Sequence, residues 1–389
     1  MIICILGRQP ALGLAELESR FGAAAVTPLG EHAAQVDAEA NDVPAHLLGS
    51  VVKLAYPLTT FDTIDWPTIL EQCRELVPTL AAGITGKIKL GLSIYGLHTG
   101  LKMLQRSGLE LKKALRSSGA SVRIVPNNAL ELNSAQILHN QLTGELGFEL
   151  LFIRDGQRTH LARTFYVQDI DDYARRDFAR PKRDAFVGML PPKLAQTMLN
   201  LAQVRSTQRV LDPFCGTGVV LQEAALMGCS VYGTDINQRM IDYSRTNLAW
   251  LKDAYGLDLD STLEVSDATN VTWQPPIASV VCEGYLGQPL SALPPQPKLQ
   301  RIMDECNDIA AGFLRNLHPQ LLPDTRCCIA LPAWADGRDF LHLKVVDDLE
   351  KMGYNRVSFT HAANSALIYH RPEQVVAREL LTLTVKELH

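Results

Sequence analysis

No stretch of the 389 residues approaches the apolar length that a membrane span requires, although 47% of the residues are hydrophobic. Membrane insertion is therefore not expected, and there is ample material for a buried core. The N-terminal segment reaches charge at Arg8 and then takes helical periodicity, which points to a first strand and helix and not to a signal peptide. Eight cysteines contain no Cys-x-x-Cys pair, so reduced thiols of a cytoplasmic protein are expected and a zinc framework is not. His98, His139 and His361 lack partners at ligand spacing, and no metal is expected. An overall excess of positive charge is also lacking, with a formal net charge of -5. That charge is uneven: residues 100–210 hold 17 Lys and Arg against 10 Asp and Glu, leaving the remainder acidic. A local basic face can meet phosphates within an acidic chain.

Against these absences stands "DPFCGTG", Asp212 to Gly218, placed between the apolar run Arg209-Val210-Leu211 and the helical-looking Val219 to Ala225. A strand ending in an acid, followed by glycines and a helix start, is a cradle for a small molecule. It lacks the Gly-Lys-Ser/Thr of a phosphate loop and the third glycine of the dinucleotide fingerprint. A carboxylate prefers a cation, and S-adenosylmethionine offers a sulfonium and an α-ammonium.

Two further acids repeat the arrangement. "CSVYGTDIN" ends a β-rich run in Asp235, where a carboxylate would hold a ribose diol. "LEVSDATNV" ends another in Asp267, placed to meet an adenine amino group. In an open parallel sheet these strand ends line one crevice.

On "VLDPFCGTG" and "GTDIN", residues from about 180 resemble a class I S-adenosylmethionine-dependent methyltransferase. They resemble in particular the family that methylates the exocyclic N2 of guanosine in tRNA, including the position-10 enzymes of archaea and eukaryotes. The resemblance implies a Rossmann-like α/β domain in which Asp212, Phe214, Gly216, Gly218, Asp235, Ile236, Asp267 and Ala268 contact the cofactor. "RPKRDAFVGMLPPKLAQTMLNLA" (Arg180 to Ala202) is similar to the segment that closes over the methionine end, which brings in Leu190.

Ile277 to Cys282 reads as the fourth strand, and at its end the resembled family places Asp-Pro-Pro-Tyr or Asn-Pro-Pro-Tyr. Here the loop is Glu283-Gly284-Tyr285-Leu286-Gly287. An amine conjugated to a purine is a poor nucleophile, so an oxygen must accept its hydrogens and aim it while an aromatic ring stacks on the base. Glu283 is expected to be the acceptor and Tyr285 the stacking ring, in direct transfer without a covalent enzyme intermediate. Both prolines are missing, and Tyr285 follows the acid by two residues where the family has three. A rearranged working loop and a binding fold without catalysis both stay open. Cys282 lacks the Pro-Cys context of nucleophilic pyrimidine enzymes and reads as a small buried strand residue.

The fold class expected is α/β: a class I methyltransferase domain with an N-terminal α+β THUMP-like RNA-binding region. Four segments are expected: an N-terminal α+β subdomain (1–60), a THUMP-like domain (61–168), a linker (169–184) and the methyltransferase domain (185–389). Residues before 60 read as short strands, a helix Leu12 to Phe21, and a connection containing Pro and Thr. "LKKALRSSGASVRIVPNNALELNSAQILHNQLTG" resembles the THUMP module, which implies phosphate contacts for Lys112, Lys113, Arg116 and Arg123. Arg175, Arg176, Arg180, Lys182 and Arg183 of the linker are expected to extend that track. Near the C-terminus a helix is expected over Phe340 to Lys351, then an antiparallel pair of Arg356 to His361 with Ala366 to Arg371. The partner implied is tRNA. A small activator subunit, a noncatalytic RNA-binding role, and methylation of DNA or protein amines are the alternatives.

Overall fold

A computed structural model describes residues 1–184, 190–337 and 339–386. These residues form two compact units: Met1–Leu17, Ala24–His46 and Ser50–Asp171 in the first, and Glu18–Ala23, Leu47–Gly49 and Asp172 onward in the second.

The first unit is built on one eight-stranded sheet. Its strands are β1 (Ile2–Leu6), β2 (Val26–Leu29), β3 (Ala33–Val36), β4 (Val51–Phe61), β5 (Lys87–Tyr95), β6 (Ser121–Ile124), β7 (Gly147–Asp155) and β8 (Arg158–Val167). They lie in the order β2-β3-β1-β4-β8-β7-β5-β6. Helices α1 (Pro10–Phe21), α2 (Trp66–Leu80), α3 (Leu101–Ser117) and α4 (Ser134–Asn140) alternate with them in the chain. Asp65 caps α2 by accepting from the Thr68 amide, and Asn133 forms a capping box with Gln136 on α4. The hairpin between β7 and β8 turns at Gly156-Gln157, one residue on from the expected Asp155-Gly156, and Gly156 takes φ +59°.

The expected boundary after residue 60 falls within β4, which pairs with β1 on one side and β8 on the other. Residues 51–61 are thus a strand and not the Pro- and Thr-containing connection that composition suggested. Pro57 is tolerated because the register shifts there.

The second unit holds α5 (Ile170–Phe178, of which Asp172 onward belongs here), α6 (Pro192–Leu201), α7 (Val219–Leu226), α8 (Gln238–Tyr255) and α9 (Gln296–Leu317). Its strands are β9 (Arg209–Asp212), β10 (Ser230–Asp235), β11 (Ser261–Val265), β12 (Ser279–Glu283), β13 (Arg326–Asp336), β14 (Asp339–Leu341), β15 (Tyr354–Arg356), β16 (Ile368–Tyr369) and β17 (Val376–Val385). The sheet runs β11-β10-β9-β12-β13-β17-β15, with β9 to β13 parallel and β17 antiparallel. Leu211, Val280, Cys282, Phe313, Ile329, Trp334 and Tyr354 are among the buried residues that pack its core.

Three expectations change here. The segment 169–184 is not a plain linker, since α5 occupies most of it. Residues 340–351 form no α-helix: Val346, Asp347 and Asp348 donate to carbonyls three residues back, and the Val345 amide goes to Asn307 Oδ1. Nor do the segments around 356 and 368 pair with each other; β15 and β16 each pair with β17. That strand is central and buried on both faces, so it shows no alternating pattern.

Candidate functional site

The chain order puts the carboxyl ends of β9, β10 and β12 side by side, and a cavity of about 410 Å³ opens there. Asp212 ends β9. The chain then turns through Gly216 (φ +51°) and Gly218 (φ +82°) into α7. A Cβ on Gly218 would stand 2.8 Å from Ser244 Oγ, so glycine is required there by conformation and by space. The turn is clamped from outside. Cys215 N donates to Thr234 O on β10, Ser244 Oγ to Gly216 O, and Asn247 Nδ2 to Thr217 O. A loop held by three neighbours is already shaped for its ligand.

Asp212 is 2% exposed, and its Oδ1 accepts from Phe214 N at 3.1 Å. Burial pushes its carboxyl well above the usual carboxylate range, and the charges of Asp235 and Glu283 add to the rise. Asp235 accepts from Gly216 N at 3.0 Å and from Asn237 N at 2.9 Å, and burial raises it too. Both acids line the cavity, together with Leu190, Phe214, Gly216 and Ile236. Among the described residues, no Lys, Arg or His lines it.

The other expected cofactor residues are placed differently. Gly218 turns the chain behind the loop and does not line the cavity. Asp267 lies two residues beyond β11, and its Oδ1 accepts from Thr269 N and Oγ1 within its own turn. Ala268 is buried behind it. Residues 185–189 of the segment expected to close over the site lie outside the described residues.

Glu283 ends β12 opposite Ala330 of β13, and the amide of Gly284 continues the ladder to Ala330 O at 2.9 Å. Glu283, Gly284, Tyr285, Leu286 and Gly287 all face the cavity. Glu283 Oε1 accepts a hydrogen bond from Arg378 Nε, and the two form an ion pair. Tyr285 is 38% exposed at the rim, and its hydroxyl donates to Glu305 Oε1 at 3.4 Å. Cys282 is fully buried, and burial drives its thiol far above the usual range, so it is a poor source of thiolate.

Sequence reasoning missed Asn237 and Met240 among the lining residues, and Arg378 behind Glu283. Asn237 had a signal, since it follows Asp235 at the start of α8. Arg378 had none, being 95 positions from its partner.

In the first unit Lys113 and Arg116 are exposed on α3, Lys112 is half-buried, and Arg123 is exposed on β6. Arg180 departs from its expected place on an RNA-facing track. Its side chain is buried, its guanidinium nitrogens make no hydrogen bond among the described residues, and Asp177 Oδ1 stands 3.8 Å from Nη2. Burial lowers its guanidinium from the usual value. Arg176 is likewise buried, donating to Glu223 Oε1 at 2.7 Å. A phosphate cannot reach such groups.

Residues 180–315 match the family described as "UPF0020: RMKL-like, methyltransferase domain". A tRNA (guanine(10)-N2)-dimethyltransferase of Methanothermobacter thermautotrophicus is 36% identical over 160 residues, covering 41% of this chain and 44% of that protein. The chain thus spans less than half the length of this relative. The solved structure of TrmN from Thermus thermophilus superimposes with a TM-score of 0.56 at 17% identity, covering 99% of each chain. The structure of SMU.472 complexed with SAH gives 0.53 at 10% identity, covering 100% and 99%. These two likenesses show a shared fold. Residues 180–315 are thus similar to the RMKL-like methyltransferase domain.

Proposed function

We propose that this protein transfers a methyl group from S-adenosylmethionine to the exocyclic N2 of a guanosine in tRNA. One observation carries the reading: Asp212, Asp235 and Glu283 converge on a cavity that no cationic side chain lines among the described residues. Carboxylates desolvated in this way are stabilised by a cation, which a sulfonium with an α-ammonium supplies and a nucleotide phosphate does not. The guanosine and the tRNA come from the relative, whose name specifies N2 of guanine 10.

When bound, the cofactor would supply an electrophilic methyl group on its sulfonium. Asp212 would hold the cationic end, Asp235 would take the ribose diol, and exposed Ile236 would offer an apolar face to the adenine. Glu283 accepts a hydrogen of the target amine, and Tyr285 stacks on the extracted base. The first unit presents Lys113, Arg116 and Arg123 to tRNA phosphates in the THUMP-like manner.

Calorimetry with S-adenosylmethionine, followed by transfer of labelled methyl to bulk tRNA and nucleoside analysis, tests the reading. The label is expected on N2-methylated guanosine. Label found in DNA or protein and not in tRNA would refute it.

Cofactor binding is also expected to release a proton. The raised carboxyls of Asp212 and Asp235 stabilise the ligand-free fold at low pH, and that stability is lost as pH rises through their folded values. A cationic ligand favours the carboxylates and so expels the proton. Binding heats measured at mildly acidic pH in buffers of different ionisation enthalpy should differ in the sense of proton release. Equal heats would show that both acids are already ionised.

A further inference from the structure

We propose that Arg378 is the positioning residue of the transfer step and that it makes Glu283 a reader of guanine; this rests on the function proposed above. Glu283 follows the last buried residue of β12, and its neighbours in the loop are Gly284 and, three residues further on, Gly287 at φ +80°. Such a loop has little stiffness of its own, and the prolines of the resembled family are missing from it. The structure supplies stiffness from another strand. Arg378, 6% exposed on β17 opposite Pro332 of β13, reaches past β13 and grips Glu283 Oε1 through Nε. Glu283 Oε2 has no hydrogen-bond partner among the described residues, and the side chain faces the cavity.

A carboxylate fixed in this way has a specific preference. The Watson–Crick edge of guanine presents N1–H and N2–H as adjacent donors, spaced like the two oxygens of one carboxylate. Oε2 takes the N2 hydrogen, and the remaining lone pair of Oε1 takes N1–H. Adenine and cytosine each present one donor beside a ring-nitrogen lone pair, which would face a carboxylate oxygen and be repelled. The charge matters as well as the angle. Asp212 lines the same cavity as a second acid, Cys282 lies beside Glu283 on its own strand, and Ala330 of β13 is neutral. Arg378 is the cation paired with this carboxylate. It touches neither cofactor nor substrate in this scheme and acts through Glu283.

The test uses the full chain with labelled S-adenosylmethionine and bulk tRNA, comparing the wild type with Arg378→Gln and Arg378→Lys. Arg378→Gln is expected to lower kcat by about 10²-fold, the loss typical of a reacting group misplaced by about 1 Å. Cofactor affinity by calorimetry should stay within about twofold. Arg378→Lys should recover about tenfold of the loss, because a cation returns without the planar fork. Wild-type kcat in Arg378→Gln would overturn the proposal. So would kcat and cofactor affinity falling together with no recovery in Arg378→Lys, which is the pattern of a purely structural contact. Failure of the underlying function shows separately, in the wild type alone, as label on a nucleoside other than guanosine.

Discussion

Replacing Glu283 with glutamine is expected to lower kcat for methyl transfer by about 10²- to 10³-fold, the range seen when one preorganised polar group is removed from a reacting centre. Glutamine keeps the length of the side chain and one acceptor oxygen, but its amide nitrogen is a donor. Two changes follow. One of the two guanine-facing acceptors becomes a donor opposed to another donor, and Arg378, buried on β17, loses its counter-charge. The cofactor end of the cavity, built by Asp212 and Asp235, is on other strands and should keep its affinity. A kcat within twofold of wild type, with cofactor binding intact, would remove Glu283 from the chemistry.

The parts of this site that were legible in the sequence are those made by short stretches of chain. Asp212 and Asp235 each close a run of apolar residues, and in a parallel sheet such runs can end only at one edge. The glycines of the turn are legible for the same reason, since their role is local. Asp267 follows the same pattern, yet it sits two residues past its strand in a turn with Thr269 and does not line the cavity. What was not legible depends on pairings distant in sequence. Arg378 and Glu283 meet because β13 lies between their strands, a fact of topology that no spacing encodes. Arg176 and Arg180 show the converse error. A run rich in arginine reads as a solvated or RNA-facing tract, but Glu223 on α7 accepts from Arg176 and draws that stretch inside. The strand β17 escaped because a buried central strand shows no alternation, and its Arg378-Glu379 pair reads as a break.

The largest effect on stability is expected far from the cavity, in the first unit, from replacing Glu149 with alanine. Glu149 is fully buried on β7, where Oε1 accepts from Lys53 Nζ at 2.5 Å and from Ser93 Oγ at 2.6 Å, and Oε2 from Thr164 Oγ1 at 2.6 Å. These partners stand on β4, β5 and β8, so one carboxylate ties together four strands of the sheet. Lys53 is 3% exposed and donates also to Leu132 O at 2.8 Å. Burial lowers its ammonium from the usual value even with Glu149 beside it. Glu149→Ala leaves that charge without a counter-ion and two hydroxyls without an acceptor, and should cost about 3–5 kcal/mol. The double variant Lys53→Met, Glu149→Leu should recover most of this, because a buried ion pair adds little net stability over apolar packing of similar volume and the damage lies in breaking it on one side. Denaturant unfolding followed by circular dichroism measures both. A Glu149→Ala midpoint equal to wild type would mean that Lys53 loses its charge or reaches water without cost. A double variant no better than the single would mean that the hydroxyl network, and not the ion pair, holds the four strands in register.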